Sequence, residues 1–557
     1  MTLNRSIGFI GLTFIAVGGV IGSGWIFGPL ITAKLAGPAS IVSWALGGVG
    51  MLILALSFAE ISSLIPVAGG IARLPMFSHG KFTAMLMGWT AWLGYNTAAP
   101  IETIAALDYL AAYFPWLQAA SGEQNALSLA GMAVAAGVLV FFTVLNAFGV
   151  QAFAKANTSI TWFKIAIPSV IALSLLYLQF EPDNFTEYGG FMPFGWTGVF
   201  SAISTGGIIF SLIGFRHAID MAGETKKPQI VIPLALATSL LLCLFIYEIL
   251  QVAFVGALSP EHLANGWDKI KFSNNLGPLA GVIVGLGVGW LTVVLYAGAV
   301  VGPLGAGLIS TGSNGRLAYA MTENDLFPSW LGRLSANKVP MRAMGLNLLV
   351  GFYVVFFMKF EEAVALNSAA IILSFSIGPI AVYTFRKQLA DRPRKFQLPC
   401  VQLMGILGLW VASLVIYWSG WHVFRVMFIS FIIGIVMFGV HVIAKKEHWK
   451  EQQIDHAFWV FPYLFGLGWI SYLGHYGGGL MVIDFPLDVI LVLALSVIIF
   501  YLAAASAMSV PQARAYFEEA RCHHETQHKL TVYPEKTPLI VACDEEAECE
   551  IIEPKGH

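Results

Sequence analysis

The chain has 557 residues, of which 57% are hydrophobic and only 11% charged, and its mean hydropathy is +0.75. A soluble domain is about a quarter charged and has too little core to hide so much apolar surface, so the composition points to lipid. A formal net charge of −2 leaves no basic excess to neutralise phosphates, which argues against nucleic acid as a partner.

A helix that crosses a bilayer needs about 20 apolar residues. On that measure the chain reads as an all-α membrane protein with about fourteen spans. In chain order they lie near 7–32, 39–65, 83–112, 127–148, 157–179, 198–220, 230–257, 281–311, 342–358, 362–385, 401–419, 424–444, 457–476 and 485–506. The first is longer than a signal-peptide core and is read as a retained helix. Loop charge tests the count. With a cytoplasmic N-terminus, the inside loops carry most of the basic residues, among them Arg73, Lys226, Lys227, Arg386, Arg394 and Lys445; the outside loops carry only Lys34, Lys269, Lys271 and Lys359. That asymmetry fits a multi-pass protein of the cell (inner or plasma) membrane with both termini cytoplasmic.

From about Ser509 the composition changes to a polar tail with the stretch RCHHETQHK and the acidic run DEEAECEIIE. It reads as a solvated, disordered tail; a metal-binding or regulatory segment through His523, His524 and His528 is the sharper alternative. The five cysteines (Cys243, Cys400, Cys522, Cys543 and Cys549) show no spacing that indicates a disulfide framework or a zinc site.

The first span reads AVGGVIGSGWIFGP, with glycines at 18, 19, 22, 24 and 28. Such a helix can unwind, and unwound backbone is tolerated in a membrane only where it lines a cavity or binds something. A helix restarting after Gly22-Ser23-Gly24 would aim N–H groups and a positive dipole end at a carboxylate. The freed carbonyls of Gly19, Val20 and Ile21 would accept from an ammonium. Both ends of an amino acid zwitterion would be met. Close packing of helices through small residues is the alternative reading of the same glycines. The sixth span, TGGIIFSLIGFRHAIDMAGETKKP, is interrupted in the same way at Gly206, Gly207 and Gly214. Two broken helices five spans apart point to a midplane site in an inverted-repeat transporter.

At these residues the chain resembles the amino acid–polyamine–organocation (APC) superfamily. GSGWIF is similar to its first-helix signature, FSLIGFRHAIDMAGETKKPQIVIP to its sixth helix and following loop, SFAEISSLIPVAGG to the end of its second helix, and SNGRLAYAMTENDLFP to the loop after its eighth. The resemblance implies a leucine-transporter-like 5+5 inverted repeat with discontinuous helices 1 and 6. Repeat one would cover about 7–179 and repeat two about 198–385 within a core of 1–390. Helices 11–14 would follow in 391–508 and the tail in 509–557. It also implies that Gly22, Ser23 and Gly24 bind the substrate carboxylate, that Gly19, Val20 and Ile213 offer carbonyls to the amine, and that Phe210 is an aromatic gate beside Gly214.

Many family members carry a glutamate two residues after the IG of the sixth helix; this chain has Arg216. A cation at membrane depth needs a partner or an aqueous cavity, and a guanidinium matches a carboxylate bidentately. Arg216 reads either as the receptor of an aspartate or glutamate side chain or as half of a structural ion pair with Glu102, Asp108 or Asp220. The GFRHAID stretch is most like the aspartate–proton symporter branch. Lys164 resembles the lysine that replaces bound sodium in sodium-independent members, which makes it the candidate for proton coupling, against a lysine snorkelling to the interface. His217 is a possible relay or a packed histidine.

The expectation is a secondary active transporter, not an enzyme, moving acidic amino acids with protons by alternating access. Amino acid exchange, a neutral amino acid substrate and a sensor on the same fold are the alternatives. Catalytic motifs such as HExxH, GxSxG and a P-loop are absent from the sequence, and no cofactor or metal is expected. A homodimer through the last four spans is possible.

Overall fold

The computed structural model describes residues 5, 7–67, 69–119, 126–147, 151–272, 277–335, 339–446 and 448–518, with strands at 540–543 and 549–552. For 151–159 and for the two strands only the backbone is described. The histidines of the tail lie outside these residues.

Through residue 518 the described chain is helical, as lipid requires of a backbone that must satisfy its own hydrogen bonds. The first span is split into α1 (Phe9–Val20) and α2 (Gly24–Ala36). There follow α3 (Ser40–Leu64), α4 (Gly70–Leu110), α5 (Leu129–Ala147) and α6 (Gln151–Leu178). The sixth span is α7 (Gly195–Ser204), α8 (Ile208–Leu212), a 3-10 turn at Ile213–Phe215 and α9 (Arg216–Asp220). Next come α10 (Pro228–Gly256), the short α11 (Pro260–Leu263) and α12 (Pro278–Gly285), α13 (Gly289–Glu323), α14 (Met341–Phe357), α15 (Phe360–Phe375) and α16 (Ile377–Gln388). The chain ends its apolar part with α17 (Val401–Trp418), α18 (Trp421–Lys445), α19 (Val460–Leu473) and α20 (Leu487–Ser506). In the tail, Ile540–Cys543 pairs antiparallel with Cys549–Ile552. Among the described residues, nine helices are long and apolar enough to cross a membrane, ten if α7 and the bent segment after it count as one span.

Two elements differ from the sequence expectation. The third span is fused to the loop before it, because α4 begins at Gly70 and turns at Gly80, whose φ of +80° favours glycine. A Cβ there would also strike the Gln453 side chain. The eighth span, expected at 281–311, is divided by a break that includes Gly287 at φ +70° and then continues to Glu323. The apolar run marked the membrane part but not the more polar extension that follows it.

The centre is built on α4, which packs against both α13 and α15. Around it α3 lies on α10, α5 on α14, α1 on the Ile213–Phe215 turn and α9, and α2 on α7 and α8. Within the segment Phe360–Gln388, residues 363–382 are all buried. Helices α17 and α18 cover α3, α4, α15 and α16 from outside. At one end of the bundle Glu60 accepts from Arg386 Nε and an Arg386 terminal nitrogen at 2.9 and 2.8 Å and from the Leu398 amide at 2.6 Å. This buried carboxylate ties α3 to α16 and to the chain leading into α17.

Candidate functional site

Helix α1 stops where glycine spacing removes side chains. Ile21 leaves the helix at φ −82°, ψ 81°, and α2 restarts at Gly24. The freed carbonyls find side-chain donors from distant helices. Lys164 of α6 donates to the Gly18 carbonyl at 2.9 Å, and the Tyr247 hydroxyl of α10 donates to the Val20 carbonyl at 2.9 Å. On the other side of the break, the Glu102 carboxylate of α4 accepts from the Ser23 hydroxyl and amide. Its Oε2 has no hydrogen-bond partner. The charges of Glu102 and Lys164 act on one another, and both side chains are at least 95% buried, at 5% and 3% exposure.

The second break faces the first. A Cβ on Gly19 would strike the His217 ring and crowd the Gly214 carbonyl; one on Gly214 would strike the Gly19–Val20 backbone; one on Gly24 would strike the Ser211 hydroxyl; one on Gly22 would strike the Glu102 carboxylate. Gly19 to Gly24, Ile213 and Gly214 therefore meet at one place. A cavity of ≈ 320 Å³ opens beside them, bordered by Ser23 and Gly24 from the first break, Thr205, Gly206 and Gly207 from the second, and Phe210, Ser211, Phe360 and Glu361. Phe210 is half-buried on its wall.

Arg216 sits on the other face of the turn. Its guanidinium lies 4.0 Å from the centroid of the Tyr95 ring, and its Nε has no partner. Tyr95 in turn donates its hydroxyl to Asp220 Oδ2 at 2.5 Å, and the charges of Arg216 and Asp220 act on one another. Of the partners weighed from sequence, Glu102 is held at the first break instead, and Asp108 Oδ1 accepts from Gln118 at 2.7 Å. His217 packs on Gly19 and meets Tyr95 edge-to-face at 6.0 Å, with its Nδ1 unpartnered. Sequence reasoning did not single out Tyr95, Ser211 or Tyr247. The available signal was a polar group inside an apolar span, as in WLGYN and IYEIL; Tyr95 beside Asn96 and Tyr247 beside Glu248 both carry it.

An all-helical membrane fold with two broken helices bordering one cavity defines a solute transporter of the broken-helix type. The family model of amino acid permeases matches residues 7–440, and the chain belongs to that family, within the APC superfamily. It is a multi-pass membrane transporter of amino acids and not an enzyme. The glutamate/serine transporter AimA of Bacillus subtilis strain 168 is 36% identical over 90% of this chain and 94% of its own length. The aspartate-proton symporter of the same organism is 33% identical over 90% of this chain and 96% of its own. A branched-chain amino acid permease, BcaP, is 26% identical over 81% and 95%.

Proposed function

We propose that this permease carries aspartate and glutamate into the cell across the plasma membrane, coupled to protons, by alternating access about the two helix breaks. The observation that carries the reading is the shared cavity: restart residues of both broken helices border one space, and a buried acid and a buried amine, Glu102 and Lys164, hold the first break beside it. The names of the two relatives above 30% identity support an acidic substrate.

The chemistry follows from the groups present. Ser23 and the amides at the start of α2 are donors suited to an α-carboxylate, and Glu102 now takes what Ser23 offers. A proton on Glu102 would remove its charge and weaken that claim, so that a charged substrate carboxylate competes better for the same donors, while Lys164 holds the end of α1. Arg216, without an ion pair to any described carboxylate, is the group that the side-chain carboxylate of the substrate would reach once Tyr95 yields. Phe210 would close the cavity, and His217 lies next to the meeting point of the breaks.

The fourteen-span, 5+5 assignment belongs to the same proposal. It is supported by the packing of corresponding helices on one another: first on sixth, second on seventh, third on eighth, fourth on ninth. Both termini would then be cytoplasmic and helices 11–14 a peripheral shell.

The test is uptake of labelled L-aspartate into proteoliposomes, with and without an inward proton gradient, competed by glutamate, arginine and leucine. Gradient-driven uptake competed by glutamate and lost in Arg216→Ala is expected. Uptake that needs internal amino acid would make the protein an exchanger. Leucine uptake that survives Arg216→Ala, with no aspartate flux, would overturn the acidic-substrate reading.

A further inference from the structure

Gln251 stands between Leu250 and Val252 inside α10 and is 0% exposed. A buried amide in a membrane helix must be answered by protein groups, and this one is answered by two other helices. Its Oε1 accepts from the Trp44 indole N–H of α3 at 3.0 Å and from the Thr32 hydroxyl of α2 at 2.8 Å, and its Nε2 donates to the Pro29 carbonyl of α2 at 3.2 Å. The indole can only donate, so it fixes which end of the amide is the oxygen. With the oxygen there, a 2.8 Å approach of the Thr32 oxygen needs the hydroxyl proton between them, although the Gly28 carbonyl is also in reach at 2.7 Å.

These bonds fall on the part of α2 that borders the transport cavity. Gly28 and Ile31 line that cavity, and Pro29 and Thr32 follow each of them in the chain. Gly28 also rests against the Trp44 ring, since a Cβ on it would come 3.1 Å from Trp44 Cζ2. One turn earlier on α10, Tyr247 lies on the same face as Gln251. It packs its ring on Trp44 with centroids 5.0 Å apart and donates to the Val20 carbonyl at 2.9 Å. Two side chains of one helix therefore reach the two sides of the first break. Tyr247 holds the half that ends at Val20, and Gln251 holds the half that restarts at Gly24.

We propose that Gln251 is a positioning residue for transport: it sets where α2, and with it the Ser23 hydroxyl and amide, stands relative to the end of α1, and so sets the width of the break into which the substrate must fit. This rests on the reading of the break as the transport site. Gln251 does not border the cavity itself and acts only through the helix it holds. Losing that hold shifts the donors without removing any of them, so the cost falls on substrate affinity.

The experiment measures KM and maximal rate of labelled amino acid uptake in proteoliposomes, with L-aspartate or whichever amino acid the unaltered protein carries. Gln251→Leu should raise KM at least about tenfold, since a misplacement of about 1 Å can cost about a hundredfold, while the maximal rate stays within about twofold. Because this variant leaves buried donors unpaired and can fail to fold, Thr32 gives a second test. Thr32→Val keeps the volume and loses the hydroxyl, and should raise KM about three- to tenfold, the value of one neutral hydrogen bond. Thr32→Ser keeps the hydroxyl and loses a methyl group, and should leave KM within about twofold; packing alone predicts the reverse order. In the Gln251→Leu chain, Thr32→Val should add nothing, because the bond is already lost. An unchanged KM in Gln251→Leu, Thr32→Ser impaired as much as Thr32→Val, or a full Thr32→Val effect in the Gln251→Leu chain would overturn the proposal. Gly24→Ala, which disturbs the break directly, separates this failure from that of the reading beneath it. If Gly24→Ala impairs uptake and Gln251→Leu does not, only the role of Gln251 falls; if Gly24→Ala leaves uptake intact, the break is not the transport site and both fall.

Discussion

Replacing Lys164 by alanine tests the centre of the reading, because one amine is asked to do two things. It donates to the carbonyl freed at the end of α1 at 2.9 Å and it offsets the buried charge of Glu102. A hydrogen bond from a charged donor contributes about 1.5–3 kcal/mol, whereas removing one member of a buried charge pair costs about 3–5 kcal/mol, since the other is left uncompensated. Lys164→Ala should therefore cost about 3–5 kcal/mol in mixed-micelle unfolding and abolish gradient-driven uptake. With Glu102→Gln already present, only the hydrogen bond to Gly18 remains to be lost, so the same change should cost about 1.5–3 kcal/mol. The midpoints of the two ranges differ by about 2 kcal/mol, which is the coupling the cycle should give. Contacting residues show such terms, and independent sites add within about 0.5 kcal/mol. Costs that add within that margin would refute the pairing, and proton-driven uptake in the single variant would refute the role in coupling.

Gly24→Ala should reduce uptake at least about tenfold, because its Cβ would strike the Ser211 hydroxyl and overpacking costs about 1–3 kcal/mol; Ser211→Gly in the same chain should restore most of it. Tyr95→Phe keeps the ring under Arg216 but removes the hydroxyl given to Asp220, at about 1–3 kcal/mol. Tyr95→Leu also loses the cation–ring attraction, up to about 2 kcal/mol more; equal unfolding costs for the two would deny that contact any weight. Glu60→Gln weakens a carboxylate that holds Arg386 and the Leu398 amide and should destabilise by about 2–3 kcal/mol. Limited proteolysis should then cut sooner between α16 and α17, with the uptake KM of the surviving protein unchanged.

Where the helices run was legible because lipid imposes one rule on every crossing: enough apolar residues, and no backbone left unpaired. The observed α10 at Pro228–Gly256 and α14 at Met341–Phe357 differ from the expected 230–257 and 342–358 by a residue or two. The break in the first span was legible only with the glycines of the sixth beside it; the restart expected after Gly22-Ser23-Gly24 falls at Gly24. Partners were not legible. Lys164 and Gly18 are 146 residues apart, and Tyr95 and Asp220 are 125 apart, and nothing in spacing tells which of three acids an arginine will approach. Arg216 shows why: in a buried site an aromatic face can hold a guanidinium as an acid would, so charge matching by sign missed Tyr95.

The glycines had two explanations, close packing and interruption, and the structure joins them. Gly19 and Gly214 let α1 and the Ile213–Phe215 turn touch at backbone distance, and the same absence of side chains leaves the carbonyls at the end of α1 and the donors at the start of α2 unclaimed by their own helices. Those groups cannot stay bare in a membrane interior. Protein side chains answer them: Lys164 and Tyr247 for the carbonyls, Glu102 for Ser23. The fold thus supplies, from within, an ammonium and a carboxylate at the places where a zwitterionic substrate would present its own. A substrate entering the break competes with groups of its own chemistry, and that competition lets the protonation of a side chain decide whether the substrate is held.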